Sequence, residues 1–485
     1  MPVTEQDDAA LRDAAPKVQD HHDVGVVMPS DYSGPVREST RPRRRWLRFS
    51  LRTLLVLVTV FGVWLGIKVD QARRQKRAVE ALQALGADIR YEHQRVPEGG
   101  FDGGIELNVP AWARELCGDD FFQTVTGVSF WWHGSQDRRQ QRVRPIRDED
   151  LACLADLPHL EVLHIDKAAI TDAGLAHLPH PERLTSVTLS DTNVGDDFVS
   201  RLKAAKRLES LWIDNTSVTD EGLRALEGIT TLRRLSLLGT QTGDLGLAAF
   251  KACRELEALK PGRNVTDKGL QQFETLENVR ILELNGQITG NAFRDFSLPK
   301  ADTVYLVNCA VGDDDLPPLV RAIKDVRVLL IEGCPITDAG LQHLKQLGKT
   351  QILLLSKTQI RGRALRHLTA LSGLQILEIR GSPLDDPDLE SLEPLYTGAA
   401  PGGNLTLNQS TVSSPDLAKI SGLANLLSLD LAHTEITDQG LSHLYALKKL
   451  LRVDLRGTQV TAEGVGKLQQ AIRGLKIAWD KNPRP

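Results

Sequence analysis

The nonapeptide ITDAGLAHL, which begins at Ile170, has near-copies elsewhere: ITDAGLQHL from Ile336, ITDQGLSHL from Ile436 and VTDEGLRAL from Val218. With its first residue as a mark, equivalents fall at Ile146, Val194, Thr242, Val265, Ile288, Val311, Ile360, Leu384, Val412 and Val460. Successive marks lie 23 to 25 residues apart, with one interval of 28 between Leu384 and Val412. A unit of that size cannot bury its own apolar face, so a chain with fourteen marks must stack its units into a continuous core.

An LxxLxL pattern runs upstream of the marks. RLESLWI places Leu208, Leu211 and Ile213; NLLSLDL places Leu426, Leu429 and Leu431; KLLRVDL places Leu450, Val453 and Leu455. The alternation that ends each run has the period of a strand. Downstream, TDxGLxxL spaces its leucines as on a helix. The Thr can cap that helix and the Asp suits the positive end of its dipole. Each unit therefore reads strand, tight turn, helix, return loop.

LxxLxL followed by a Thr/Cys/Ser slot and I-T-D-x-G-L resembles the leucine-rich repeat in its cysteine-containing subtype, from about Ile146 to Ile477. The whole layout is similar to that of membrane-anchored bacterial leucine-rich repeat proteins. The resemblance implies an α/β solenoid of about 14 units over residues 146–480, with a curved parallel sheet on the concave side and helices on the convex side. Two departures are visible. KPGRN puts Pro261 just after a strand and predicts a distorted rung, and TGAAPGGN, Thr397 to Asn404, predicts a Gly-rich bulge.

Ahead of the repeats, residues 1–45 show no sustained period and read as a disordered cytoplasmic tail. Thr53 to Ile67 carries no charge in 15 residues. That is short of the ~20 a bilayer span takes, but Phe49, Leu51 and Val69 extend it, and Arg52 and Lys68 can snorkel. A cleaved secretion signal is the competing reading, yet the charged, helical KVDQARRQKRAVEAL follows with no small-residue cleavage pattern. Residues 46–70 are thus expected to be a transmembrane signal anchor. Seven basic residues precede the run and five follow it, which favours a single pass with the N-terminus cytoplasmic and the repeats outside. Gly62 and Gly66, four apart, could let two such helices approach as a homodimer. Residues 71–145 read as a linker helix and an N-terminal cap, with short strands in ADIRYEH and GIELNV, a helix at PAWARELC and an irregular strand at Val125, Val128 and Phe130.

Little in the sequence points to bond-making chemistry. The five cysteines include no CxxC and no zinc spacing. Cys309 and Cys334 occupy the slot that Thr192, Thr216, Thr240, Thr434 and Thr458 fill elsewhere. His177, His343, His367 and His443 share one helical slot on the convex side, and Asp313, Asp314 and Asp315 open a helix. Sequons at Asn215, Asn264, Asn404 and Asn408 arise readily in repeats rich in Asn and Thr. No GxSxG, HExxH, P-loop or strand-to-helix GxGxxG is present. No enzymatic activity, metal or cofactor is expected. Net charge −4, from 59 basic and 63 acidic residues, argues against a nucleic-acid partner.

The strand residues between the inward leucines face the concave side. Most are polar: His164, Thr188, Ser236, Lys260, Asp430 and Asp454. The middle units instead present Ile281, Tyr305, Val307, Val328, Leu330, Ile352, Leu354 and Ile376. At ~4.8 Å between strands these form a patch roughly 20 Å long, of a kind that soluble surfaces rarely expose without a partner. The expected function is a non-catalytic scaffold that binds a protein through this patch. Two alternatives stand beside it. One is an envelope component that stacks with its own copies; the other is a substrate-recognition subunit like the F-box leucine-rich repeat receptors, although no F-box-like domain is seen.

Overall fold

The computed structural model describes residues 51–95, 102–130 and 145–480, apart from 274, 295–296, 386 and 398–401. The expected tail, residues 1–45, lies outside the described residues. The chain divides into two units, residues up to Gly62 and residues from Val63 onward. The apolar run belongs to one 34-residue helix, α1 (Leu51–Ala84). Its most apolar 18-residue window has no buried residue, and it is the one helix among the described residues with the length and composition to cross a membrane.

In the second unit the last turns of α1 bury Ala78, Val79 and Leu82, and all three join the solenoid core. The Gln75 amide fixes this end. It donates to the carbonyls of Asp120 (3.4 Å) and Gln123 (2.9 Å) and accepts from the Val125 N–H at 3.3 Å. Two strands follow, β1 (Asp88–Tyr91) and β2 (Val125–Phe130), with α2 (Ala111–Cys117) between them. β1 runs antiparallel to β2 and ends the sheet. The strand expected at GIELNV does not form. Ile105, Leu107 and Val109 are half-buried in alternation, but Asp102 holds a turn at Gly104 and no strand among the described residues pairs with this segment. The alternation there records one face against protein, which is not by itself a strand.

From β2 onward every pairing is parallel and sequential. The rungs are β3 (Val162–Ile165), β4 (Ser186–Thr188), β5 (Ser210–Trp212), β6 (Arg234–Ser236), β7 (Ala258–Lys260) and β8 (Ile281–Asn285). They continue as β9 (Thr303–Val307), β10 (Val328–Glu332), β11 (Ile352–Ser356) and β12 (Ile376–Glu378). The last are β13 (Gly403–Thr406), β14 (Leu426–Asp430), β15 (Arg452–Asp454) and β16 (Lys476–Ala478). Fourteen of these strands, β2 to β15, each precede one mark, and every mark is at most 2% exposed. Both departures leave a trace. β7 pairs with β8 through two residues only, since Pro261 has no N–H to extend the ladder. At the long interval the register slips between Gly403 and Asn404, leaving Leu427 unpaired beside Gly402.

The helix starts explain the TDxGL signature more fully than a dipole does. The Asp of one unit accepts both the backbone N–H and the hydroxyl of the next unit's Thr. Asp196 takes Thr219 N at 2.8 Å and Oγ1 at 2.6 Å; Asp148–Thr171, Asp244–Thr266, Asp267–Thr289, Asp313–Thr337 and Asp438–Thr461 repeat it. Where Gly replaces Thr, Asp172, Asp220 and Asp338 still hold the N–H of Gly195, Gly243 and Gly362. The Gly of the motif makes the approach possible. A Cβ on Gly222 would stand 3.0 Å from the Cα of Asp196, and Gly174 and Gly246 meet their own preceding Asp in the same way.

The buried slot two residues before the mark closes the turn internally. Thr192, Thr216, Thr434 and Thr458 each donate to the carbonyl three residues back, at 2.5 to 2.7 Å. The residue just before that slot adopts positive φ, +51° at Asn215 and +65° at Gly333, which turns the strand end toward the helix.

Gly222→Ala forces the added methyl against the Asp196 backbone and should cost about 1–3 kcal/mol. Gly466, inside the helix Ala462–Ala471, has nothing within 4 Å, so Gly466→Ala should add up to ~1 kcal/mol. Denaturant midpoints of the two variants should move in opposite directions; a shared direction would contradict the packing described.

Candidate binding surface

Strand alternation sets the facing of every residue in the middle rungs. Leu329, Ile331, Leu353 and Leu355 are 0% exposed, while Leu330 and Leu354 between them are half-buried and face outward. Registration places the outward side chains in rows. One row runs Glu283, Tyr305, Leu330, Leu354, Glu378 across β8 to β12. A second runs Ile281, Thr303, Val328, Ile352, Ile376, and Val307 sits beside Glu332 in a third. All eight expected patch residues therefore share one face. Thr303 interrupts the second row, a break that the sequence reading did not draw.

Carboxylates frame the apolar rows and are largely matched within the chain. Lys260 Nζ lies 2.8 Å from Glu283 and 5.6 Å from the Trp212 ring centre. Lys357 pairs with Glu332 at 2.7 Å, and Ser356 donates to Glu378 at 3.1 Å. With the rim charges satisfied, what the surface offers a partner here is apolar contact.

A second feature lies toward the other end of the concave face. A cavity of about 760 Å³ is lined by Arg90, Arg95, Glu161, His164, Arg207 and Arg234, among others. Its floor is the His164 ring, 8% exposed, with Nε2 2.9 Å from Ser186 Oγ and Nδ1 3.4 Å from Ser129 Oγ. Burial first, then the nearby Arg90 and Arg234, push the imidazole down to about 4, so it is neutral at pH 7. The ring spans three rungs as a hydrogen-bonded strut. Sequence reading recorded His164 as a polar concave residue and missed the arginines. Aligning the first outward position of each strand (Val162, Ser186, Ser210, Arg234) would have exposed Arg234.

The remaining chemistry-bearing residues sit apart. Cys253, Cys309 and Cys334 are buried, Cys153 is half-buried and Cys117 exposed, all as free thiols. Cys253 donates to the Ile229 carbonyl and its thiol is pushed up to about 11 by burial. The Cys334 sulfur and burial together push Cys309 up. Asp313 is occupied by Thr337, and Asp315 accepts the Gly312 N–H at 2.9 Å. Among the described residues, no group of three or more His, Cys, Asp or Glu side chains is placed to hold a metal ion.

Leu330→Asp with Leu354→Asp should leave the melting temperature nearly unchanged, because outward substitutions usually fall within ~0.5 kcal/mol. Leu329→Asp should cost several kcal/mol, since it buries an unpaired charge. Thermal melts of both variants check the facing; equal losses would contradict it.

Comparison with known proteins accords with this architecture. A model described as a leucine-rich repeat matches residues 422–444. No curated protein matches the sequence. Among solved structures, an internalin from Listeria monocytogenes superposes with a TM-score of 0.50 at 18% identity, over 72% of this chain and 92% of that one. A leucine-rich repeat protein from Leptospira interrogans gives 0.38 at 14%, over 67% and 80%. A second Listeria monocytogenes internalin gives 0.31 at 21%, over 44% and 84%. The chain is a leucine-rich repeat solenoid, and it resembles bacterial proteins of that kind.

Proposed function

We propose that the chain is a membrane-anchored, non-catalytic scaffold that binds a protein through the concave face of β8 to β12. The observation that carries this reading is the outward apolar row Tyr305, Leu330 and Leu354, flanked by Val328, Ile352 and Ile376 on registered neighbouring strands. Leaving such rows in water has a free-energy cost that burial against a partner removes, at roughly 25 cal/mol per Å² of apolar area. A rigid sheet adds little ordering cost on binding. The exposed apolar half of α1 supports anchoring, and the larger number of basic residues before it favours placing the repeats outside the cytoplasm. The four-residue spacing of Gly62 and Gly66 on α1 supports close approach of a second α1.

A photo-crosslinking residue at position 354 in living cells should yield a discrete adduct with a different protein, lost in the Leu330→Asp background. An adduct with the chain itself would favour the self-stacking alternative. No adduct at 354, with adducts from a convex position such as 177, would overturn the concave reading. In the same cells added protease should reach the repeats and spare the N-terminal tail; the reverse pattern would overturn the orientation.

A further inference from the structure

The basin at the amino-terminal end of the concave face is chemically unlike the apolar rows. Four guanidinium groups line it, from Arg90, Arg95, Arg207 and Arg234, together with three carboxylates, Asp88, Glu161 and Glu209. Four guanidiniums against three carboxylates leave the lining with an excess of positive charge. Glu161 is held by Arg95 and lies 3.9 Å from Arg183. Asp88 stands 3.9 Å from Arg90 with its side chain 66% exposed, at the rim, and Glu209 is also exposed. Arg207 and Arg234 make no ion pair among the described residues.

Arg90 and Arg234 are among the charged groups near the floor, and both, after burial, oppose protonation of His164. A neutral ring hydrogen-bonded to Ser186, overlooked by two guanidiniums, offers polar hydrogens and positive charge to one enclosed point. Guanidinium forks match the planar oxygens of carboxylate and the oxygens of phosphate. The volume of about 760 Å³ is in the range that holds a small molecule.

We propose that this basin is a binding site for an oxyanion, a carboxylate or phosphate group on a small molecule, gripped by Arg234 and Arg90 above the His164–Ser186 floor. The site is separate from the apolar rows of β8 to β12, so each can fail without the other. Arg207 contributes at the mouth, and Ser186 supplies a hydroxyl to a ligand oxygen. Asp88 and Glu209 at the rim disfavour a ligand with charge spread along its length, so the preferred ligand carries its negative charge at one end.

Citrate and inorganic phosphate, titrated separately into the full chain in detergent micelles, test this by calorimetry and by the His164 ring resonance, assigned with His164→Gln. Saturable binding of one equivalent of either anion is expected. Citrate alone would assign the carboxylate chemistry, phosphate alone the phosphate chemistry, and both together recognition of charge alone. Arg234→Gln should weaken binding about tenfold, the loss of one charge-assisted hydrogen bond, and Arg234→Lys should weaken it less. Bound anion should also raise the pH at which His164 titrates, because it offsets Arg90 and Arg234. The melting temperature of each variant reports whether the fold is intact. Absence of saturable binding by both anions would overturn the proposal. So would binding that Arg234→Gln and Arg90→Gln leave unchanged, or that leaves the His164 titration unmoved.

Discussion

The solenoid depends on one contact made between units: an Asp at one helix start reaching forward to the next unit's Thr, or to the N–H of the Gly that stands in its place. Parallel strands fix the spacing on the concave side, but they leave the convex side free to fan. The Asp–Thr link, 2.8 Å and 2.6 Å at Asp196–Thr219, ties consecutive helix starts together. Four atoms share each link, so it is directional in a way that the Leu layers are not. The Gly of the motif is the steric counterpart, since its missing Cβ is what lets the following helix sit against the preceding Asp.

With the helices tied, strand register becomes exact enough to write chemistry in rows. A slip of one residue would turn every outward side chain inward, and Leu330 beside Leu354 would then be core. The apolar rows and the arginine basin are therefore both products of the repeat, made from positions that the packing does not claim. The single polar mark shows how far the scaffold tolerates variation. Thr242 is fully buried with its hydroxyl 2.7 Å from Thr240 Oγ1, and Gly262 of the Pro-interrupted rung provides the room beside it.

Much of this was legible from residue periods. The marks, the alternation and the outward set from Ile281 to Ile376 follow from a period of two inside a period of about 24 residues. The Asp–Thr link was not read, because its partners lie 22 to 24 residues apart and local capping rules already give each residue a role. GIELNV misled because alternation shows one buried face and says nothing of a ladder partner. The arginine basin was missed for a related reason: Arg90 lies in β1, outside the repeat, and joins Arg234 only through the antiparallel pairing of β1 with β2.

The direct test is native-state hydrogen exchange on Asp196→Ala in the full chain. Removing the carboxylate should accelerate exchange at the Thr219 amide and in the two helices it joins, Asp196–Arg201 and Asp220–Arg224. Protection in β14, far along the stack, should stay as it was, because each unit of a solenoid contacts only its neighbours. An unchanged Thr219 amide would contradict the link as the constraint that holds the helices in register.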